Sequence, residues 1–150
     1  RGLPRGDERE AGVLVALYDD PAGGGPHVVL TRRSPSLASH SHEVSFPGGR
    51  RDPGDPDLWA TALREAAEEI GLDPRLPRLV GRLDPLVTVG SRSLIHPFVA
   101  VLPGPPTLVP NVDEVEAVLL VPLAELLEDE VYREEEWARF EVPWIITFFE

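Results

Sequence analysis

The chain has 150 residues, 42% of them hydrophobic and 27% charged, which suits one soluble domain with a real core. Its net charge of −12 argues against a nucleic-acid backbone as the main partner, because such binding rests on neutralising phosphates. The absence of cysteine excludes disulfides, thiolate metal sites and thiol catalysis. No apolar run approaches membrane-spanning length and no signal-peptide pattern opens the chain, so the expected setting is cytoplasmic, without a membrane partner. All 14 cationic side chains are Arg, a residue suited to planar contact with phosphate, although GC-rich coding gives the same bias. A first residue other than Met is read as the mark of a trimmed or processed chain.

Residues 1–10 are polar and charged and are expected to be loose. Gly12–Tyr18 reads as a buried strand, the Gly-rich stretch 20–26 as a turn, and His27–Arg32 as the returning strand. A polar connection over Arg33–Ser41 leads to a short strand at Glu43–Phe46. One helix is expected next, with Asp55 or Asp57 accepting from its first N–H groups, Pro56 at its first position and Gly71 as its left-handed stop. At about 100° per residue, Trp59, Ala62, Leu63, Ala66 and Ile70 form its apolar stripe.

Strand-like pieces follow over Arg78–Val89, then Ser93–Leu102, where Pro97 implies an edge or a bulge. Pro103–Pro110 is a loop, Val115–Val121 a strand, and Pro122–Leu127 a short helix. Glu128–Arg139 is ambiguous between helix and loop, and Val142–Phe149 reads as a buried strand. Trp137, Phe140, Trp144, Phe148 and Phe149 are read as core or as the face of a homodimer, with adenine stacking as the lesser alternative. No repeat or linker divides the chain, so 1–150 is expected to be a single domain. Strands around a central helix favour an α/β fold with a mixed sheet flanked by helices.

Glu65, Glu68 and Glu69 fall together on one flank of the expected helix. Three carboxylates on neighbouring turns repel one another, and a divalent cation with oxygen preference would turn that repulsion into binding. A solvated acidic face is the bland alternative. Gly48-Gly49 supplies a turn where backbone can approach a ligand, and Arg64 can hold a carboxylate in a fixed orientation through its planar fork.

The run Arg64-Glu65-Ala66-Ala67-Glu68-Glu69-Ile70-Gly71-Leu72, with Gly48-Gly49 upstream, resembles the Nudix box of hydrolases that cleave a nucleoside diphosphate linked to another group. The first half departs from the usual pattern, with Asp55 where the family has Glu and eight rather than seven residues before Arg64. The resemblance implies an α/β/α sandwich and Mg²⁺ or Mn²⁺ held by Glu65, Glu68, Glu69 and the Gly49 carbonyl. It also implies a closing helix, which the chain as given lacks. Nudix enzymes often place a distal glutamate near the site as extra ligand or base, for which Glu114 is preferred over Asp113 and Glu116, with a solvated loop as the alternative.

Upstream, Leu30-Thr31-Arg32-Arg33-Ser34, Leu37, His40 and Glu43–Gly49 resemble the extra motif of the coenzyme A pyrophosphatase branch, with His42 where that branch has Gly. The implied reaction splits coenzyme A into 3′,5′-ADP and 4′-phosphopantetheine, with Arg32, Arg33 and His40 serving the substrate's phosphates. Surface charge and loop capping are the alternatives for these three residues. ADP-ribose, NADH or another nucleoside diphosphate derivative is the alternative substrate, and a non-catalytic nucleotide sensor the alternative class. His96, within an apolar strand, is read as structural.

Overall fold

A computed structural model describes residues 9–34, 43–88, 92–126 and 146–147. Among these residues nine strands and two helices follow in the order β1 (Arg9–Asp19), β2 (Pro26–Arg33), β3 (Val44–Ser45), β4 (Gly48–Arg50), α1 (Leu58–Ile70), β5 (Arg78–Arg82), β6 (Leu86–Val87), β7 (Ser93–Val101), β8 (Val115–Pro122), α2 (Leu123–Leu126) and β9 (Ile146–Thr147). They form one mixed sheet with the path β5-β7-β1-β2-β3-β9; β4 adds to β1, β6 to β7 and β8 to β2. The β1–β7 and β3–β9 pairs are parallel and the others antiparallel. This is the expected α/β architecture.

β1 organises the sheet because both of its edges are used. One edge carries β7 along nearly its full length. The other is shared by β2, which pairs at Leu17–Asp19, and β4, which pairs at Ala11–Val13. The strand therefore starts at Arg9, whose N–H donates to the Arg92 carbonyl, and the loose opening expected over residues 1–10 does not extend to Arg9 and Glu10.

Pro97 likewise lies in an interior strand, not at an edge. Its ring nitrogen is harmless there because β5 pairs with Phe98–Val101 and β6 with Leu94–Ile95, so Pro97 falls in the gap between them. Leu83, in that gap, still donates to its carbonyl at 3.0 Å.

α1 follows its sequence signals with one change. Asp57 is the N-cap, accepting from the Ala60 N–H at 2.8 Å, and Gly71 ends the helix at φ 68°. Pro56 thus precedes the cap and does not occupy the first helical position. The buried face, Ala62, Ala66 and Ile70, packs on Leu14, Ala16, Tyr18, Val29, Phe98 and Ala100, with Trp59 against Phe98. Leu63, placed on the same stripe in the sequence, is only half-buried. The helix lies so close to β1 that a Cβ on Gly12 would stand 2.5 Å from the Leu58 carbonyl oxygen. On the opposite face α2 joins Val15, Val28, Leu30 and Val44, giving helices on both sides of the sheet.

The readings for residues 128–139, for Trp137, Phe140, Trp144, Phe148 and Phe149, and for most of Val142–Phe149 lie outside the described residues. So do those for His40 and His42.

Candidate active site

α1 presents Glu65 and Glu69 to a cavity of about 230 Å³ lined also by Thr31, Arg33, Ser45, Phe46, Gly48, Glu114 and Val115. Three carboxylates therefore converge from two separate parts of the chain. Glu114 is brought there by the end of α1 itself: Val109 and Asn111 donate their N–H groups to the carbonyls of Ile70 and Glu69, at 2.8 Å each. Those bonds satisfy orphan carbonyls at the helix end and fix the approach to β8.

Burial sets the charge state of this group. Glu69 is held well above the usual carboxylate range, first by burial and then by the neighbouring Glu65 and Glu114, against a 3.3 Å hydrogen bond from the Gly48 N–H. Glu65 is pushed up to about 7, again chiefly by burial, with Arg64 opposing and Glu68 and Glu114 adding repulsion. Buried carboxylates pressed together in this way are unfavourable without a cation, and their oxygens suit a hard divalent ion.

Among the described residues no three acidic or histidine side chains stand in ready-made ligand geometry. Glu68 is turned away from the cavity onto Arg64 Nη1, at 3.1 Å to both of its oxygens. Binding an ion there requires these carboxylates to rotate. The donor chemistry nonetheless fits, and a Cβ on Gly49 would collide with the Glu65 carboxylate, so Gly49 keeps this space open.

Arg64 organises the near side. Its Nε and Nη2 grip Asp55 at 3.0 and 3.1 Å, Nη2 also reaches the Arg50 carbonyl at 3.1 Å, and Nη1 holds Glu65 at 3.3 Å as well as Glu68. Asp55 is 8% exposed and additionally accepts from the Asp52 N–H at 2.9 Å and the Thr61 hydroxyl at 2.8 Å. The Arg64 hydrogen bond leads these contacts in lowering the Asp55 pKa to about 2. Asp55 also raises that of Arg64.

The same geometry is attached to a recognisable sequence, since residues 8–141 match the NUDIX domain family. The chain belongs to the Nudix family. Over 138 residues it is 41% identical to the mouse peroxisomal coenzyme A diphosphatase NUDT7, an alignment covering 92% of this chain and 57% of that protein. It is 42% identical over 123 residues to the Caenorhabditis elegans peroxisomal coenzyme A diphosphatase ndx-8, covering 81% and 52%. It is also 40% identical over 144 residues to the Arabidopsis thaliana Nudix hydrolase 15, mitochondrial, covering 95% and 50%. The chain thus spans about half the length of the curated relatives it matches. The fold matches the Nudix hydrolase RenU from M. smegmatis with a TM-score of 0.68 at 20% identity, covering 88% of this chain and 86% of that one.

Within this Nudix domain the residues singled out from sequence part company. Glu65, Glu69 and Glu114 share the cavity, Gly49 lies beside Glu65, and Glu68 joins them only through Arg64. Asp113 and Glu116 are not among the lining residues. Arg33 lines the cavity, whereas Arg32, expected to serve beside it, lies on the opposite side of β2. Val29, Thr31 and Arg33 face α1, while Val28 and Leu30 face α2, and period-two alternation puts Arg32 with the second set. His96 in β7 sits 3.5 Å from the Glu10 carboxylate and well apart from this group.

Three contributors were given no individual role from the sequence. Thr61 reads as an ordinary helix residue, and its hydroxyl bond to Asp55 is visible only once the 51–56 loop is placed. Phe46 and Ser45 form a wall of the cavity, and the sequence signal for them was their place in the upstream motif Glu43–Gly49, which assigned neither a role.

Proposed function

We propose that this Nudix domain hydrolyses the diphosphate bond of coenzyme A or its derivatives, with Mg²⁺ or Mn²⁺ as cofactor. The observation that carries the chemistry is the convergence of Glu65, Glu69 and Glu114 on one small cavity opposite Arg33. Glu65, Glu69, Glu68 after rotation, the Gly49 carbonyl and Glu114 are the groups that would hold the ions. A divalent ion held by these groups would supply neutralisation of phosphate charge and a bound water of lowered pKa. Arg64, fixed by Asp55, sets the orientation of Glu65 and Glu68. In the net reaction a water oxygen bonds to phosphorus and the bridging P–O bond breaks, leaving two phosphate monoesters.

The choice of coenzyme A is supported by the upstream motif over residues 30–49 and by the names of NUDT7 and ndx-8. The cytoplasmic setting expected from sequence is part of the proposal. No helix among the described residues is long and apolar enough to cross a membrane, while the named relatives are mitochondrial or peroxisomal. The deciding experiment is product analysis with Mg²⁺ against coenzyme A, ADP-ribose, NADH and nucleoside triphosphates. Release of 3′,5′-ADP and 4′-phosphopantetheine as the preferred reaction supports the assignment. Preferred turnover of ADP-ribose or NADH moves it to the alternative substrate class, and no turnover of any of them favours a nucleotide-binding domain.

A further inference from the structure

The cavity holding the three carboxylates contains a cationic side chain with one buried donor unpaired among the described residues. Among the described residues the Nε of Arg33 is buried without a hydrogen-bond partner, and Arg33 is the one cation among the lining residues. A buried donor left unpaired is costly, so such groups call for an explanation. The backbone supplies a second observation. The β2–β8 register shifts between Arg32 and Arg33, with Arg32 opposite Ala117 and Arg33 opposite Val115. Glu116 is the residue passed over, so the extra residue lies in β8, where that strand leads into Val115 and Glu114 at the cavity opposite Arg33. The backbone is anchored on both sides there, since the Arg33 N–H donates to the Glu43 carbonyl at 2.9 Å and the Ser34 N–H to the Glu114 carbonyl at 3.0 Å.

Size decides what Arg33 meets. At about 230 Å³ the cavity lined by these described residues is smaller than the roughly 300–1,000 Å³ that encloses a drug-sized ligand, so it matches a small part of a substrate as long as coenzyme A. The reacting portion fits there, and its anionic oxygens would meet Glu65, Glu69 and Glu114 as well as Arg33.

Resting on the hydrolase reading above, we propose that Arg33 is a catalytic residue. Its guanidinium grips a non-bridging oxygen of the scissile diphosphate, and it does not read a remote group such as the 3′-phosphate. The Nε–H then gains its acceptor, and the arginine offsets charge at the phosphate opposite the carboxylates. The contact is common to every diphosphate diester, so it contributes rate and not selectivity.

The test compares wild type, Arg33→Gln and Arg33→Lys on coenzyme A, dephospho-coenzyme A and ADP-ribose with Mg²⁺. It adds calorimetric binding of methylenediphosphonate, a diphosphate mimic that cannot be hydrolysed. The Gln variant should lose about ten- to a hundredfold in kcat/KM to the same extent on every substrate the wild type accepts, and bind the mimic correspondingly less tightly. The Lys variant, keeping charge but not the fork, should recover part of both. A loss confined to coenzyme A, or undiminished binding of the mimic by both variants, would overturn the assignment. If wild type turns over none of the three, the hydrolase reading fails separately, and the binding measurement alone still decides the fate of Arg33.

Discussion

Asp55 and Arg64 close a two-point grip, Nε to Oδ1 at 3.0 Å and Nη2 to Oδ2 at 3.1 Å, across a loop and the first turns of a helix. The acid is one methylene shorter than the glutamate usual in the Nudix box and stands one residue further from the arginine. The two departures occur together at a well-formed pair, and the Thr61 hydroxyl holds the shorter side chain from the other side. The grip leaves Nη1 directed at Glu65 and Glu68.

Acid should undo this grip in a defined window. The folded pKa of Asp55 lies near 2, below its ordinary 3.8, so its stabilisation is fully present above the ordinary value and lost as pH falls through 2. A difference of that size corresponds to about 2 kcal/mol. Urea unfolding of Asp55→Asn should show lower stability than wild type at pH 7 and a narrower gap at pH 2.5. A gap that stays constant with pH would show that the carboxylate charge is not what matters.

Thr61 offers a cleaner probe of the same network, since it is fully buried and its hydroxyl meets Asp55 at 2.8 Å. Thr61→Val preserves shape but leaves the carboxylate short of one donor, and should cost about 1–3 kcal/mol. Thr61→Ser keeps the donor and should cost less. Equal losses for the two variants would assign the effect to packing.

Arg64→Lys retains the charge but not the planar fork that serves Asp55, Glu65 and Glu68 together. Turnover should fall while KM changes little, because the residue orients carboxylates and does not touch substrate. A rise in KM alone would place Arg64 on the substrate.

Glu69→Gln separates function from stability. Turnover should drop on the order of 10²–10⁴-fold, as expected when a metal-activated or general-base step is lost. The metal-free protein should be at least as stable as wild type at pH 8, because a buried carboxylate with a raised pKa destabilises the fold as pH rises and the neutral amide removes that burden. Melting in EDTA across pH 5–8 checks the second half. A strongly destabilised variant would make Glu69 a structural residue.

What could be read from the sequence was mostly local. The cap at Asp57, the stop at Gly71 and the stripe Ala62–Ala66–Ile70 all follow from spacing within one helix. Features built by distant pairing were less legible. Arg32 and Arg33 are expected together on the substrate's phosphates, whereas alternation along β2 sends them to opposite faces, and which of them faces α1 depends on how the sheet is covered. Glu114 is singled out only through the family resemblance, and what delivers it to the cavity is the bond from Asn111 N–H to Glu69 O. Pro97 signals an edge in isolation, yet sits in an interior strand because β5 and β6 leave a gap opposite it. Asp55 was one of two candidate caps, and its service to Arg64 depends on the path of residues 51–56.

The parallel ladder from Arg9–Ser93 to Leu17–Val101 also governs the order of assembly. Every residue of the carboxylate helix lies inside the long chain loop that this ladder closes. α1 rests on β1 and touches Phe98 and Ala100 of β7, so its docking surface is whole only after that closure. Such non-local pairing must meet its loop entropy before its contacts form, which slows folding. During synthesis the helix emerges well before β7, with one wall of its seat still inside the ribosome. The site is therefore a late product of folding, and slowing the completion of β7 would leave a chain that carries every acid of the box and no cavity between them.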